Sequence, residues 1–213
     1  MTPQEASARA LEICNAAPVI PVLVLDDAGA AADLAMALVA GGLPVLEVTL
    51  RTPAALEVIA AMSAVAGGIV GAGTLLTPED VRAAKAAGAT FGVSPGATDR
   101  LLDACEAECL PLLPGAATAT EVMALLERGY TTQKFFPAEA SGGAPALKAI
   151  AAPLPQVTFC PTGGINLAKA PAYLAASNVR CVGGSWVAPA EKVAAGDWAG
   201  IEALAAEAAA LGR

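Results

Sequence analysis

Glu47, Thr49 and Arg51 alternate with Val48 and Leu50 along VLEVTL, which begins at Val45, and the arginine that follows it. In a strand, the period of two places these three polar side chains on one face. A parallel strand covered on both sides should be almost wholly apolar, so a carboxylate and a guanidinium inside it need a reason. Lys134 is a second anomaly. The other lysines, Lys85, Lys148, Lys169 and Lys192, fall in alanine-rich segments that read as helices, where a solvated ammonium is ordinary. Lys134 lies instead in the strand-like run Gln133-Lys-Phe-Phe-Pro137, with Phe136 on its own face. An aromatic neighbour that excludes water disfavours the ammonium and favours the free amine, which can attack a carbonyl. The competing reading is a Lys134–Glu47 ion pair that serves stability alone; buried ion pairs stabilise poorly, which weighs against it.

A third cluster has almost no side chains. Thr162-Gly-Gly164 and Gly183-Gly-Ser185 each follow an apolar run. Glycine lets backbone N–H groups approach an anion closely, and two such loops near the end of a strand–helix series suit a phosphate. Either loop alone could be a tight turn. Thr74, Ser94-Pro95-Gly96 and Pro114-Gly115 also end apolar runs, and as turns they carry no functional weight by themselves.

Composition narrows the chemistry. The chain of 213 residues has a formal charge of −8, which argues against nucleic acid or an anionic membrane surface as a partner. A bound phosphate or carboxylate must therefore be held by local groups. There is no histidine, which removes Ser-His-Asp hydrolysis and His-ligated zinc and leaves lysine as the natural electrophile-former. Cys14, Cys105, Cys109, Cys160 and Cys181 form no C-x-x-C pair and read as small buried hydrophobes of a reducing cytoplasm. The mixed, charged N-terminal segment does not read as a signal peptide. The uncharged stretch from Val58 to Pro78 is broken by glycines and reads as a helix end followed by a strand, not a membrane span.

The elements that must position these residues repeat. Apolar runs start at Val19, Val45, Ile69, Phe91, Leu110, Gln133, Val157 and Cys181, each followed by a helix-sized segment. Thr52-Pro53 and Thr77-Pro78 predict N-caps with proline at the first helical position, and Thr77–Asp80 and Thr118–Glu121 predict capping boxes. Gly42, Gly88 and Gly129 predict helix ends. Eight such units predict a single-domain α/β protein over residues 1–213, a (β/α)8 TIM barrel with an additional N-terminal helix before Val19 and a last helix over Ile201 to Leu211. A doubly wound open sheet is the rival, but Asp26-Asp27 follows the first run where that fold carries a glycine-rich turn.

LEVTLRT (Leu46 to Thr52), VGAGT (Val70 to Thr74), SPG (Ser94 to Gly96), KFFPAE (Lys134 to Glu139), FCPTGGI (Phe159 to Ile165) and GGSW (Gly183 to Trp186) together resemble the 2-keto-3-deoxy-6-phosphogluconate (KDPG) aldolase family. The likeness runs in order over nearly the whole chain. It implies a class I aldolase of the Entner–Doudoroff pathway that releases pyruvate and glyceraldehyde 3-phosphate from a phosphorylated 2-keto acid. Lys134 matches the Schiff-base lysine and Glu47 the general acid/base acting with a water. Arg51 and Thr74 match residues that hold the pyruvate carboxylate, and Pro95 and Phe136 match pocket-lining ones. Thr162 matches a position linked to discrimination at C4, and Gly163, Gly164, Gly184 and Ser185 match the phosphate-binding loops. The resemblance also implies a homotrimer that needs no cofactor and no metal. The same chemistry on the galactonate-derived epimer or on 4-hydroxy-2-oxoglutarate, and a non-catalytic sugar-phosphate-binding barrel, remain alternatives.

Overall fold

All eight apolar runs become parallel strands in the computed structural model, which describes residues 1–212. The first half reads α1 (Pro3–Asn15), β1 (Val19–Leu23), α2 (Ala31–Ala40), β2 (Val45–Thr49), α3 (Ala55–Ser63), β3 (Ile69–Gly73), α4 (Pro78–Ala86), β4 (Phe91–Val93) and α5 (Asp99–Ala107). The second half continues with β5 (Leu112–Leu113), β6 (Gly115–Ala116), α6 (Ala119–Arg128), β7 (Thr132–Phe135), α7 (Gly143–Ala151), β8 (Thr158–Pro161), α8 (Ala170–Leu174), β9 (Val182–Gly184), α9 (Ala190–Ala194) and α10 (Trp198–Ala209).

The fifth run is split because Pro114 has no N–H to donate. Its carbonyl still accepts from the Lys134 N–H at 2.8 Å, so pairing passes from β4 on one side to β7 on the other. The strands therefore form a six-stranded sheet, β5-β4-β3-β2-β1-β9, and a three-stranded one, β6-β7-β8. Isolated parallel bridges, Phe159 to Val179 and Thr162 to Gly183, link β8 to the β9 segment.

Side-chain parity sorts the apolar residues into two cores. One cluster, with Leu23, Leu46, Val70, Leu112, Phe135 and Phe159, packs the outward strand faces under the helices. The other holds Ile20, Val45, Phe91, Val93, Leu113, Cys160 and Cys181 from the opposite strand faces, together with Ala10 and Cys14 of α1. The predicted N-terminal helix thus packs onto the inner cluster. Ser7 of α1 accepts the N–H groups of Thr131 and Thr132 at 2.9 and 3.0 Å, which ties the helix to the start of the strand that carries Lys134.

Threonines begin many of the helices. Thr2, Thr77 and Thr118 complete capping boxes, and Thr98 caps α5. Each such cap contributes on the order of 1 kcal/mol. Gly42, Gly88 and Gly129 have φ of +92°, +104° and +114° at helix ends, as predicted. Thr52 is a correction: α3 starts later, at Ala55, and the Thr52 hydroxyl instead donates to the Leu25 carbonyl at 2.5 Å. Cys109 is another, since it is exposed while the other cysteines are buried. No helix among the described residues is long and apolar enough to cross a membrane.

Candidate active site

Parity also delivers the polar residues. Glu47 and Thr49 share the inner face of β2 with Val45, and Lys134 shares that of β7 with Thr132. Both charged groups are buried, and Lys134 Nζ lies 3.1 Å from Glu47 Oε1, with side chains only 6% and 4% exposed. Lys134 Nζ also sits 5.4 Å from the Phe136 ring centroid. An ammonium over a ring face is favoured electrostatically, so Phe136 does more than exclude water. The Phe136–Pro137 peptide bond is cis.

Glycines make the room for Glu47 and for the side chains around the cavity. A Cβ on Gly73 would lie 2.3 Å from Glu47 Oε1, and one on Gly71 would lie 2.4 Å from the Phe91 ring. On Gly183 it would meet Thr162 Oγ1 at 2.2 Å, and on Gly115 the Pro95 backbone at 2.3 Å. Close packing cannot absorb such overlaps without moving a neighbour. Gly73 of VGAGT, which looks like an ordinary turn residue, therefore sets where the carboxylate can stand, and Gly71 seats the Phe91 ring.

Arg51 is a correction: it lies beyond the end of β2 and is exposed rather than inside the buried strand, and it is placed by a relay. The Thr49 hydroxyl donates to the Leu23 carbonyl at 2.9 Å, which turns its lone pair toward Arg51 Nε, 3.1 Å away. The two Nη groups keep no protein partner among the described residues, a geometry suited to bidentate capture of a carboxylate. Thr74, at the end of β3, has φ +62°. A β-branched residue there is strained, and such strain gathers at binding sites.

Lys134, Glu47, Arg51, Thr74, Pro95, Phe136, Thr162, Gly163, Gly164, Gly184 and Ser185 all line one cavity of about 390 Å³, beside Thr49 and Gly183. Val22 and Ile165 line it too, and neither stands out in the sequence because both look like ordinary core residues. Cys14, Cys160 and Cys181 are buried together in the inner cluster. The neighbouring Cys14 and Cys181 thiols, and with them the Lys134 charge, hold the Cys160 thiol well below its ordinary range against the effect of burial. No group of three or more His, Cys, Asp or Glu side chains among the described residues could hold a metal ion.

At the other end of the cavity the backbone does the work. The carbonyls of Thr162 and Gly163 accept the N–H groups of Ala138 and Glu139 at 2.8 and 3.1 Å. In a planar peptide the following N–H points the opposite way. The N–H groups of Gly163, Gly164 and Ile165 have no protein acceptor among the described residues, which leaves a run of donors fit for an anion. The Trp186 ring occupies the space a Cβ on Gly184 would take, so that glycine also seats the indole.

A buried amine against a carboxylate, a guanidinium beside them and a nest of N–H groups opposite make equipment for lysine-dependent chemistry on an anionic carbonyl compound. The family model for KDPG and KHG aldolase matches residues 11–204. The 2-dehydro-3-deoxy-phosphogluconate aldolase of Zymomonas mobilis is 53% identical over 201 residues, spanning 94% of this chain and 95% of that protein. A crystal structure of the Zymomonas mobilis ZM4 enzyme with 3-phosphoglycerate superposes with a TM-score of 0.93 at 51% identity, over 97% of this chain and 98% of that one. The Legionella pneumophila KDPG aldolase, with pyruvate captured as a covalent carbinolamine, superposes with a TM-score of 0.91 at 46% identity over 94% and 98%. The chain belongs to the KDPG and KHG aldolase family, and is accordingly a carbon–carbon lyase.

Proposed function

We propose that the protein is a class I aldolase that cleaves 2-dehydro-3-deoxy-6-phosphogluconate to pyruvate and glyceraldehyde 3-phosphate through a Schiff base on Lys134. The observation that carries this reading is the buried Lys134–Glu47 contact of 3.1 Å opening onto a cavity with N–H donors at its far end. Glu47 is placed to accept the proton that Lys134 must shed before attack. The amine adds to the C2 carbonyl, and loss of water gives a protonated imine, an electron sink. Glu47, through a water, takes the proton of the C4 hydroxyl. The C3–C4 bond then breaks, its electrons forming the enamine, and glyceraldehyde 3-phosphate leaves. Protonation of the enamine at C3 and hydrolysis return Lys134 and release pyruvate. Arg51, with Thr74, holds the carboxylate, while Gly163, Gly164, Gly184 and Ser185 hold the phosphate. Fixing both ends aligns the reacting carbons. Pro95 and Phe136 wall the pocket, and Thr162 faces C4.

The topology supports the same reading. The strand order runs consecutively from β1 to β5 without the reversal of a doubly wound sheet, and bridges join β8 to β9. We read the two sheets as one closed (β/α)8 barrel over a single domain of residues 1–213, plugged by α1. The family likeness supports a homotrimer that works in the cytoplasm without a cofactor, and sedimentation of the intact protein tests the trimer.

The activity is tested by measuring pyruvate release from the 6-phosphogluconate-derived keto acid, its C4 epimer and 4-hydroxy-2-oxoglutarate. The highest kcat/KM is expected for the first, with slower turnover of the last. A faster reaction with the epimer would contradict the assignment of Thr162. No pyruvate from any of the three would leave a sugar-phosphate-binding protein.

A further inference from the structure

Lys169 reads in the sequence as an ordinary helical lysine, but it stands at the N-cap of α8, behind the Thr162–Ile165 loop. Its Nζ lies 2.5 Å from Glu139 Oε2 and donates to the Gly164 carbonyl at 3.2 Å. The Tyr173 hydroxyl donates to the other carboxylate oxygen, Glu139 Oε1. Glu139 is itself built into the back of the loop. Its N–H holds the Gly163 carbonyl at 3.1 Å, and a Cβ on Gly164 would meet Glu139 Cγ at 2.8 Å. Three successive loop carbonyls, those of Thr162, Gly163 and Gly164, are thus anchored to Ala138, Glu139 and Lys169. Peptide planarity then turns the N–H groups of Gly163, Gly164 and Ile165 the other way, toward the cavity they line.

The arrangement has an electrostatic problem, since a carboxylate stands against the back of a loop suited to a dianion. Hydrogen bonding by Lys169, then by Tyr173, holds the Glu139 carboxyl below its usual range and so keeps it ionised. Without a cation beside it, that charge would oppose phosphate in a chain already carrying −8.

We propose that Lys169 is a positioning residue for the anion-binding loop: it fixes the Gly164 carbonyl and neutralises Glu139, and so strengthens binding of the phosphorylated end of the substrate without touching the reacting carbons. The proposal rests on the reading of this loop as the phosphate site. The test compares Lys169→Met, Lys169→Arg and Lys169→Met combined with Glu139→Gln. Each is assayed for cleavage of the phosphorylated keto acid and for deuterium exchange into the pyruvate methyl group, which engages only the Lys134 end. Lys169→Met is expected to raise KM for the phosphorylated substrate about three- to tenfold, with kcat within about twofold and pyruvate exchange unchanged. Lys169→Arg should restore KM, and Glu139→Gln in the methionine background should recover part of it. An unchanged KM in Lys169→Met, or a loss of pyruvate exchange in step with a lowered Tm, would overturn the proposal. The wild-type preference for phosphorylated over unphosphorylated 2-keto-3-deoxygluconate separates the two readings. No preference removes the phosphate site and the proposal with it; a preference that Lys169→Met leaves intact removes the proposal alone.

Discussion

The two ends of the cavity are built by opposite means. At the end proposed for the keto acid, Lys134 and Glu47 project from β7 and β2 and are buried, Gly73 leaves the carboxylate its room, and the exposed Arg51 stands just beyond β2. At the end proposed for the phosphate, side chains are nearly absent and the peptide N–H groups are the available donors, aimed by what holds their carbonyls. The first design gives reactivity, because burial strengthens each charge–charge contact and excludes water. The second gives a shaped, electroneutral donor set that tolerates a dianion in an acidic protein. A catalyst that must keep its lysine reactive gains from separating the two, since Lys169 at the loop end is paired to Glu139 and does not compete for Glu47.

The sharpest way to break this contrast is to give the keto-acid end one methyl group too many. Gly73→Ala places a Cβ 2.3 Å from Glu47 Oε1, so Glu47 must move by about an ångström to regain van der Waals contact. Displacement on that scale costs on the order of a hundredfold in kcat, read from pyruvate release with circular dichroism confirming the fold. Wild-type activity in this variant would mean that the carboxylate position is not critical. Arg51→Ala removes a charge-assisted contact and is expected to raise KM about ten- to a hundredfold, for pyruvate in the exchange reaction as well as for the full substrate. An unchanged affinity for pyruvate would refute its role.

Gly164→Ala works at the other end, where φ is +76° and the added methyl meets Glu139 Cγ. A rise of about tenfold in KM for the phosphorylated substrate is expected, with pyruvate exchange retained. If exchange fell equally, the two ends would not be separable. The smallest effect concerns neither end. Cys109 is exposed, whereas burial pushes the Cys105 thiol up to about 12 and closes Cys14, Cys160 and Cys181 inside. Thiol titration of the native protein should show one fast-reacting cysteine, Cys109, and its alkylation should leave activity unchanged.

The same contrast separates the features that are legible in the sequence from those that are not. Glu47 and Lys134 are legible because their types conflict with buried strands, and period-two parity correctly puts Glu47 and Thr49 on one face, whereas Arg51, expected on that face, stands past the strand end and is exposed. The strand positions are legible as short apolar runs between caps. Val22 and Ile165 give no signal, since an apolar residue lining a cavity is indistinguishable from one filling a core. Gly71 and Gly73 are visible only as turn formers, because what a missing Cβ makes room for depends on a neighbouring strand. Lys169 is half-exposed, as its helical setting suggests, but its pairing is hidden for a similar reason: its partners, Glu139 and Gly164, are brought to it by the loops after β7 and β8. The split of the fifth run at Pro114 is encoded by proline's missing donor but concealed by the apolar run around it.

The central claim is that Lys134 is the covalent nucleophile, and borohydride reduction in the presence of pyruvate, followed by mass spectrometry of the Lys134 peptide, tests it most directly. One reduced pyruvyl adduct is expected on Lys134 and none on Lys85, Lys148, Lys169 or Lys192, with loss of the adduct and at least about a thousandfold loss of cleavage in Lys134→Ala. A folded wild-type protein that traps no pyruvate, or that traps it on another lysine, would contradict the claim.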